Sequence, residues 1–223
     1  MKAHKSKSPK LPVNRDAPDL ASNLVPLDSI AKIFNAPEVV VRDCTIENLI
    51  LDNFSPKSIV LEGCILKRVS FTGSRLLNFR LKDVLLVECD FANAEASGLK
   101  ITRVEFLNCR LTGLRAVQAE CQHLLISEGD ASFSQFRFGV FKTSEFFSCK
   151  FAEADFQGSD LRGAILKGCD LTNVEMIGAR LEGSDFRGSR VEGLVANAED
   201  LKGAIVDPAQ AMIFAELMGL KIR

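Results

Sequence analysis

Cysteines are the side chains of this sequence with the widest chemical range, because thiolates bind soft metals and form disulfides. Six of the seven cysteines form pairs separated by 20 residues: Cys44 with Cys64, Cys89 with Cys109, and Cys149 with Cys169. No histidine accompanies the pairs and no Cys-x-x-Cys occurs, which disfavours a zinc site. Buried cysteine otherwise behaves as a small apolar residue, so we expect these pairs in the core.

The other candidates for chemistry are the two histidines, His4 and His123, and a series of aspartates suited in principle to acid–base work, namely Asp155, Asp160, Asp170 and Asp185. They form no constellation of nucleophile, base and orienting group. No phosphate-binding G-x-x-x-x-G-K motif is present either. The sequence therefore predicts no catalytic, metal-binding or cofactor-binding residue, and we expect a protein that is not an enzyme.

The elements that carry these residues repeat with a period of five. From Val41 to Val206, every fifth residue is apolar except Pro56. The residue two before each is small or apolar, and Glu199 alone among them is charged. A helix has a period of 3.6 residues and a strand a period of two, so neither keeps such residues on one side. The pattern instead needs a chain that turns a corner every five residues.

Several runs resemble the pentapeptide-repeat motif A-[D/N]-L-x-x: Ala154-Asp-Phe, Ser159-Asp-Leu, Cys169-Asp-Leu, Ala179-Arg-Leu and Ser184-Asp-Phe. The resemblance covers about residues 39–206. It implies an all-β fold, a right-handed quadrilateral parallel β-helix (solenoid) of about 8.5 coils, with a C-terminal capping helix. Four pentads would make each coil, and recurring glycines such as Gly158 and Gly163 would lie at its corners.

Charge alternation supports a 20-residue coil independently of the resemblance. Parallel strands in register would stack residues i and i+20, and opposite charges stacked in this way stabilise a sheet. Three such columns alternate in sign: Asp90, Arg110, Asp130, Lys150, Asp170, Arg190; Arg42, Glu62, Lys82; and Arg75, Glu95, Arg115. The same stacking keeps paired cysteines near the ~4.8 Å strand spacing, which is longer than the ~3.8 Å Cβ separation of a disulfide.

The two ends differ from the repeats. We expect a disordered basic tail at 1–23, an N-terminal cap at 24–38 with a short helix from Ser29 to Asn35, the repeats at 39–206, and a capping and dimerisation helix at 207–223. Asp207 and Pro208 are suited to begin that helix. The helix is apolar nearly all round, so its surplus surface predicts a homodimer through Met212, Phe214, Leu217 and Met218.

These features favour a non-catalytic protein-binding or scaffold rod. The outward apolar residues are the candidate partner-binding residues: Val87, Leu107, Phe133, Phe138 and Phe147. The alternative comes from the resemblance alone, since some pentapeptide-repeat proteins bind DNA gyrase or topoisomerase IV as DNA mimics and protect against quinolones. The C-terminal segment from Leu201 is similar to their dimerisation segment, but their projecting loops would interrupt the five-residue phase, which is unbroken here.

Composition excludes several other classes. The formal net charge of -1 is not that of a nucleic-acid binder. The sequence contains no run of 18 apolar residues that would predict a membrane span. Its basic N-terminus also lacks the apolar stretch of a secretory signal. Seven cysteines without a disulfide spacing favour a reducing cytoplasm.

Overall fold

The chain folds as a four-sided parallel β-solenoid in which one turn takes 20 residues. The computed structural model describes residues 15–26, 34 and 36–221. From Glu38 onward the strands are parallel and in the predicted register, so that Leu61 pairs with Leu81 and Leu81 with Ile101. The predicted class of fold is therefore confirmed.

Strands occupy two adjacent sides of the solenoid, and isolated bridges such as Asp90–Arg110 join the turns on the other two. About 7 turns carry strands, fewer than the predicted number, because the turns after the last strand continue as single bridges such as Asp185–Ile205. The strands are β1 (Val25–Pro26), β2 (Glu38–Arg42), β3 (Cys44–Glu47), β4 (Ser58–Lys67), β5 (Phe79–Val87), β6 (Lys100–Leu107), β7 (Glu120–Ser127), β8 (Val140–Lys142), β9 (Glu145–Phe147) and β10 (Ile165–Lys167).

The corners explain the glycines and asparagines of the repeat. Gly158, Gly163 and Asn93 have φ values of +66°, +69° and +55°, the left-handed region that these residues reach at least cost. Because the chain turns at each corner, each pentad forms one side of the coil. Its central residue and the small residue two before that residue both point inward. Phe156 and Ala154 are both buried in this way, and Phe156 stacks on Phe136 of the preceding turn with ring centroids 4.9 Å apart.

The helix α1 (Pro208–Leu217) covers the final turn of the solenoid. Asp207 caps it as predicted, accepting a hydrogen bond from the backbone N–H of Gln210. The buried Gln210 amide in turn donates to the carbonyls of Phe186 and Ser189, at 2.6 and 2.7 Å, which satisfies the open end of the last coil. No helix among the described residues is long and apolar enough to span a membrane.

The N-terminal region differs from its prediction. Residues 15–23, assigned to a disordered tail, are described and lie against the solenoid, because Arg15 and the backbone amides of this segment find polar partners there. The boundary at residue 23 is thus wrong for 15–23. Of the predicted helix from Ser29 to Asn35 only Phe34 is described, in a turn, and its other residues and the segment 1–14 lie outside the described residues.

Candidate protein-binding surfaces

The five predicted partner-binding residues do not form one stripe. Val87, Leu107 and Phe147 share a column on the side that carries β3, β9 and β10, which we call the strap side, and all three are half-buried. Phe133 and Phe138 lie instead at the two corners of the pentad 134–138, on a different side of the solenoid. The prediction therefore divides into two surfaces.

One of these surfaces contains Phe133, Phe138 and the side of the pentad between them. We call it the aromatic corner surface. The two side chains are 56% and 60% exposed, and both residues have left-handed backbones, with φ of +62° and +58°. A bulky residue in this conformation costs about 1–3 kcal/mol. Equivalent corners in neighbouring turns hold smaller or polar residues, such as Asn93, Gly113 and Gln118. The fold itself therefore does not call for phenylalanine at either corner.

Carboxylates surround the Phe133 end of this surface. Phe133 borders a shallow depression of about 470 Å³ that is also lined by Glu153, Asp155, Glu175 and Val195. The Arg137 guanidinium donates to Asp155, and the Gln157 amide donates to Glu175. The surface thus combines two aromatic anchors with an acidic border.

The strap side is crossed by the N-terminal segment 15–26, which we call the strap. Arg15 contacts Glu105 and Glu145 at 2.8 and 3.4 Å, and Val25 at the other end pairs with Cys44. Between these ends, the Asp16 N–H donates to Nδ1 of His123 and the Asp19 N–H donates to Oδ1 of Asp83, both at 2.9 Å. The strap therefore runs lengthwise along the solenoid, from the turn of Cys44 to that of Glu145.

Asp83 accepts hydrogen bonds from both Arg103 and the strap. Burial alone would raise its pKa, but the paired hydrogen bonds from Arg103, at 2.6 and 2.7 Å, and the Asp19 amide outweigh burial, so the pKa of Asp83 is lowered. The carboxylate stays ionised at neutral pH and can hold the strap amide.

Several neighbouring residues in the predicted charge columns form ion pairs between successive turns. Glu62 contacts Arg42 at 3.1 Å and Lys82 at 2.6 Å, and Asp170 contacts Arg190 at 3.3 Å. Asp90 also pairs with Arg110. Basic partners therefore neutralise many of the acidic side chains along the rod.

The C-terminal helix presents part of the predicted dimerisation set. Met212 and Met218 are 53% and 50% exposed, and Leu217 is also exposed. Phe214 is 6% exposed, because it packs onto the end of the core rather than facing outward. Phe214 is thus a capping residue, contrary to its assignment as an interface residue, and the outward apolar surface consists of the other three together with Leu220.

The repeats themselves match a known family. The family model described as pentapeptide repeats matches residues 149–188 in 8 copies. The chain carries pentapeptide repeats at residues 149–188. Its pentapeptide repeats extend beyond the matched residues in the same phase, since the 20-residue register holds from Glu38 to Ile205.

Several solved structures are similar to this chain. HetL, a pentapeptide-repeat protein involved in heterocyst differentiation regulation from the cyanobacterium Nostoc sp. strain PCC 7120, is 18% identical, with 82% of this chain and 97% of that chain covered and a TM-score of 0.39. Trypsin-treated QnrB1, a plasmid-mediated fluoroquinolone resistance protein, is 17% identical, with coverages of 82% and 100% and a TM-score of 0.34. A pentapeptide-repeat protein from the Arabidopsis thaliana thylakoid lumen is 22% identical, with coverages of 48% and 72% and a TM-score of 0.22. No curated protein sequence matches the chain significantly.

The cysteines occupy inward positions of the solenoid as free, buried thiols. The Sγ atoms of Cys44 and Cys64 are 3.8 Å apart, and burial raises the pKa of Cys44 to about 12. Cys149 donates to the carbonyl of Ile126 at 3.2 Å. Within the described residues no cluster of potential metal ligands occurs. The cysteine pairs therefore fill the core as small side chains.

Sequence reasoning missed the strap, although one signal for it was present. The outward column of the strap side reads Ile65, Leu85, Glu105, Leu125, Glu145, Ile165, so two glutamates interrupt an apolar series. Glutamates at such positions need a basic partner, and neither neighbour in the column supplies one. That partner is Arg15.

Proposed function

We propose that this pentapeptide-repeat chain is a non-catalytic protein-binding rod, and that a protein partner docks on the aromatic corner surface. The observation that carries the proposal is the pair Phe133 and Phe138, two exposed aromatic residues in left-handed conformations at both ends of one pentad. The corner conformation is common to every turn, but a bulky phenylalanine in that conformation is not required by the fold, and such unfavourable residues are concentrated at functional positions. Exposed aromatic side chains are also the residues that most often anchor protein interfaces.

The chemistry of the surface indicates what the partner offers. Two rings separated by the width of one side fit two apolar pockets in a partner. The carboxylates of Glu153 and Glu175 beside Phe133 fit a basic rim around those pockets. We place this function in the cytoplasm, the kind of compartment in which buried thiols stay reduced.

The experiment compares partner capture by matched variants in the native cell. Phe133→Asn with Phe138→Gly installs residues that other corners of this chain use, so the double variant should keep or slightly raise its melting temperature. Ile50→Asn, which changes a 75% exposed residue on another side, is the control. We expect a protein that is recovered with wild type and with the control, and that is absent with the double variant. Equal recovery with all three would overturn the proposal.

The narrower function, a DNA-mimicking binder of gyrase or topoisomerase IV, has less support. Mimicry of DNA needs a continuous array of unpaired negative charges. Here Glu62, Asp90 and Asp170 each pair with a lysine or arginine in their own column. We therefore expect no protection in a gyrase supercoiling assay with a quinolone. Dose-dependent protection would favour the narrower function.

A further inference from the structure

A buried ion cluster holds the end of the strap. The side chains of Arg15 and Glu145 are each 7% exposed, and that of Glu105 is 18% exposed. The arginines and lysines of the other ion pairs are far more open, as at Arg42, where 62% of the side chain is exposed. Buried charges are costly unless they are paired, so this cluster is built for a cation in one particular place.

The cluster has the shape of a site for a single guanidinium group. Glu105, Leu125 and Glu145 are register partners in successive turns, so the two glutamates stand about 10 Å apart with Leu125 between them. Arg15 reaches both, so its guanidinium lies above Leu125. The planar guanidinium donates through several N–H groups at once, which suits two carboxylates better than a lysine ammonium would.

The contacts between the strap and the solenoid are mostly hydrogen bonds to side chains. The amides of Asp16 and Asp19 donate to His123 and Asp83, and only β1 joins the strand ladder. The strand ladder of the strap side runs beneath the strap without it, since β5, β6, β7 and β9 pair with one another. Residues 15–24 of the strap can therefore leave without breaking the hydrogen bonds that hold the turns together, while β1 stays paired with β3.

We propose that the strap side is a peptide-binding surface for an extended, arginine-containing segment of a protein partner, and that the strap occupies this surface in cis as an internal competitor. The partner's arginine takes the place of Arg15 between Glu105 and Glu145. Its backbone amides take the places of those of Asp16 and Asp19 on His123 and Asp83. The half-buried column containing Leu107 and Phe147 borders the site and packs against apolar side chains of the incoming segment.

This surface is separate from the aromatic corner surface, so the two proposals stand or fail independently. A partner can bind only those molecules from which the strap has detached. Its apparent affinity is therefore its intrinsic affinity multiplied by the fraction of molecules in which the strap is detached. Loosening the strap should therefore strengthen binding, whereas removing a glutamate of the cluster should weaken it.

The test uses the full-length chain and a labelled peptide with the sequence of residues 15–26, followed by fluorescence anisotropy. The receptors are wild type, Arg15→Ala, and Arg15→Ala combined with Glu145→Gln. Arg15→Ala with Glu95→Gln is the matched control, because Glu95 lies on another side in an exposed pair with Arg75. We expect Arg15→Ala to bind the peptide at least tenfold more tightly than wild type. Glu145→Gln should reverse that gain, and Glu95→Gln should leave it unchanged.

Three results would overturn the proposal: no detectable binding to Arg15→Ala, equal binding to Arg15→Ala and wild type, or binding that is insensitive to Glu145→Gln. A peptide with Arg15→Lys should bind less tightly than the parent peptide if the site recognises the shape of the guanidinium group.

Hydrogen exchange of wild type gives a second readout that needs no variant. The amides of Asp16 and Asp19 should exchange much faster than that of Leu81 in the ladder, and equal protection would show that the strap does not detach.

Discussion

The ring of Phe138 lies against the Cα of Gly158, one turn further along the solenoid. A Cβ added to Gly158 would come within 2.6 Å of Cδ1 of that ring. Gly158 therefore has two roles, since it adopts the left-handed corner conformation and leaves room for an exposed aromatic side chain. Gly163 has nearly the same φ but no atom within 4 Å of the corresponding Cβ position.

This difference makes Gly158→Ala and Gly163→Ala a matched pair. Both substitutions place alanine in the left-handed region, at a cost of about 1–2 kcal/mol. Gly158→Ala must also displace the Phe138 ring, so we expect it to lower the free energy of unfolding more than Gly163→Ala does. Urea denaturation measures both. In a Phe138→Ala background the two costs should become equal, and equal costs with Phe138 present would contradict the contact.

Phe156→Asp should unfold part or all of the solenoid. Phe156 is 1% exposed and has Phe136, Phe141 and Phe151 around it, so a carboxylate there would have no polar partner. The loss should exceed the ~3–5 kcal/mol of a phenylalanine-to-alanine change in a core. Phe133→Asp is the control, because its side chain is exposed. Similar thermal melts by circular dichroism for the two variants would contradict the assigned register.

Acid should destabilise the fold through paired aspartates. Hydrogen bonds from Arg162, Thr172 and Arg187 lower the pKa values of Asp160, Asp170 and Asp185 respectively. A lowered pKa in the folded state gives stability that is fully present above the unfolded value, about 3.9, and is lost as the pH falls through the folded value. Urea denaturation should therefore show a plateau above about pH 5 and a decline below about pH 4. Asp185→Asn should make that decline shallower, and stability that rises with acid would contradict the pairing.

The exposed apolar residues in and just after α1 predict a homodimer. Met212, Met218 and Leu220 leave apolar surface that a second copy can bury, at about 1.5–3 kcal/mol for each large side chain. Light scattering at tens of micromolar should give a mass near twice 24.4 kDa. Met212→Glu with Met218→Glu should give the monomer mass without lowering the melting temperature of the repeats.

Phe214→Ala distinguishes capping from dimerisation. Because Phe214 is buried against the last coil, its truncation should lower stability even in the monomeric variant. A wild-type mass of 24.4 kDa at every concentration would show that the dimer prediction is wrong. A dimer that persists with both glutamate substitutions would place the interface elsewhere on the rod.

The sequence predicts the repeats well because their constraint is local and recurs in every pentad. Inward residues such as Phe156 and corner residues such as Gly158 follow directly from a period of five, and alternating charges such as Asp90 and Arg110 indicate the register. The 20-residue coil also places Phe133 and Phe138 on a different side from Phe147, but the repeat does not show which outward residues bind a partner.

The two ends could not be predicted in the same way. The strap has no periodicity, and its contacts join residues as far apart as Arg15 and Glu145. Short segments rich in proline and charged residues usually lack fixed structure, and nothing local in the sequence reveals a buried partner. For α1, apolar residues all round the helix do not indicate which one faces the core, so Phe214 was assigned to the wrong face.

The strap also restricts how the length of this protein can change during evolution. Solenoids lengthen when a coil is duplicated, and one extra coil moves everything beyond it by about 4.8 Å. A duplication between Cys44 and Glu105 would carry both glutamates away from Arg15, because the strap itself would not grow. The described contacts of the strap end at Glu145, so a duplication beyond that residue leaves its anchors in place. We therefore expect descendants that keep the strap to vary in length only in their C-terminal turns.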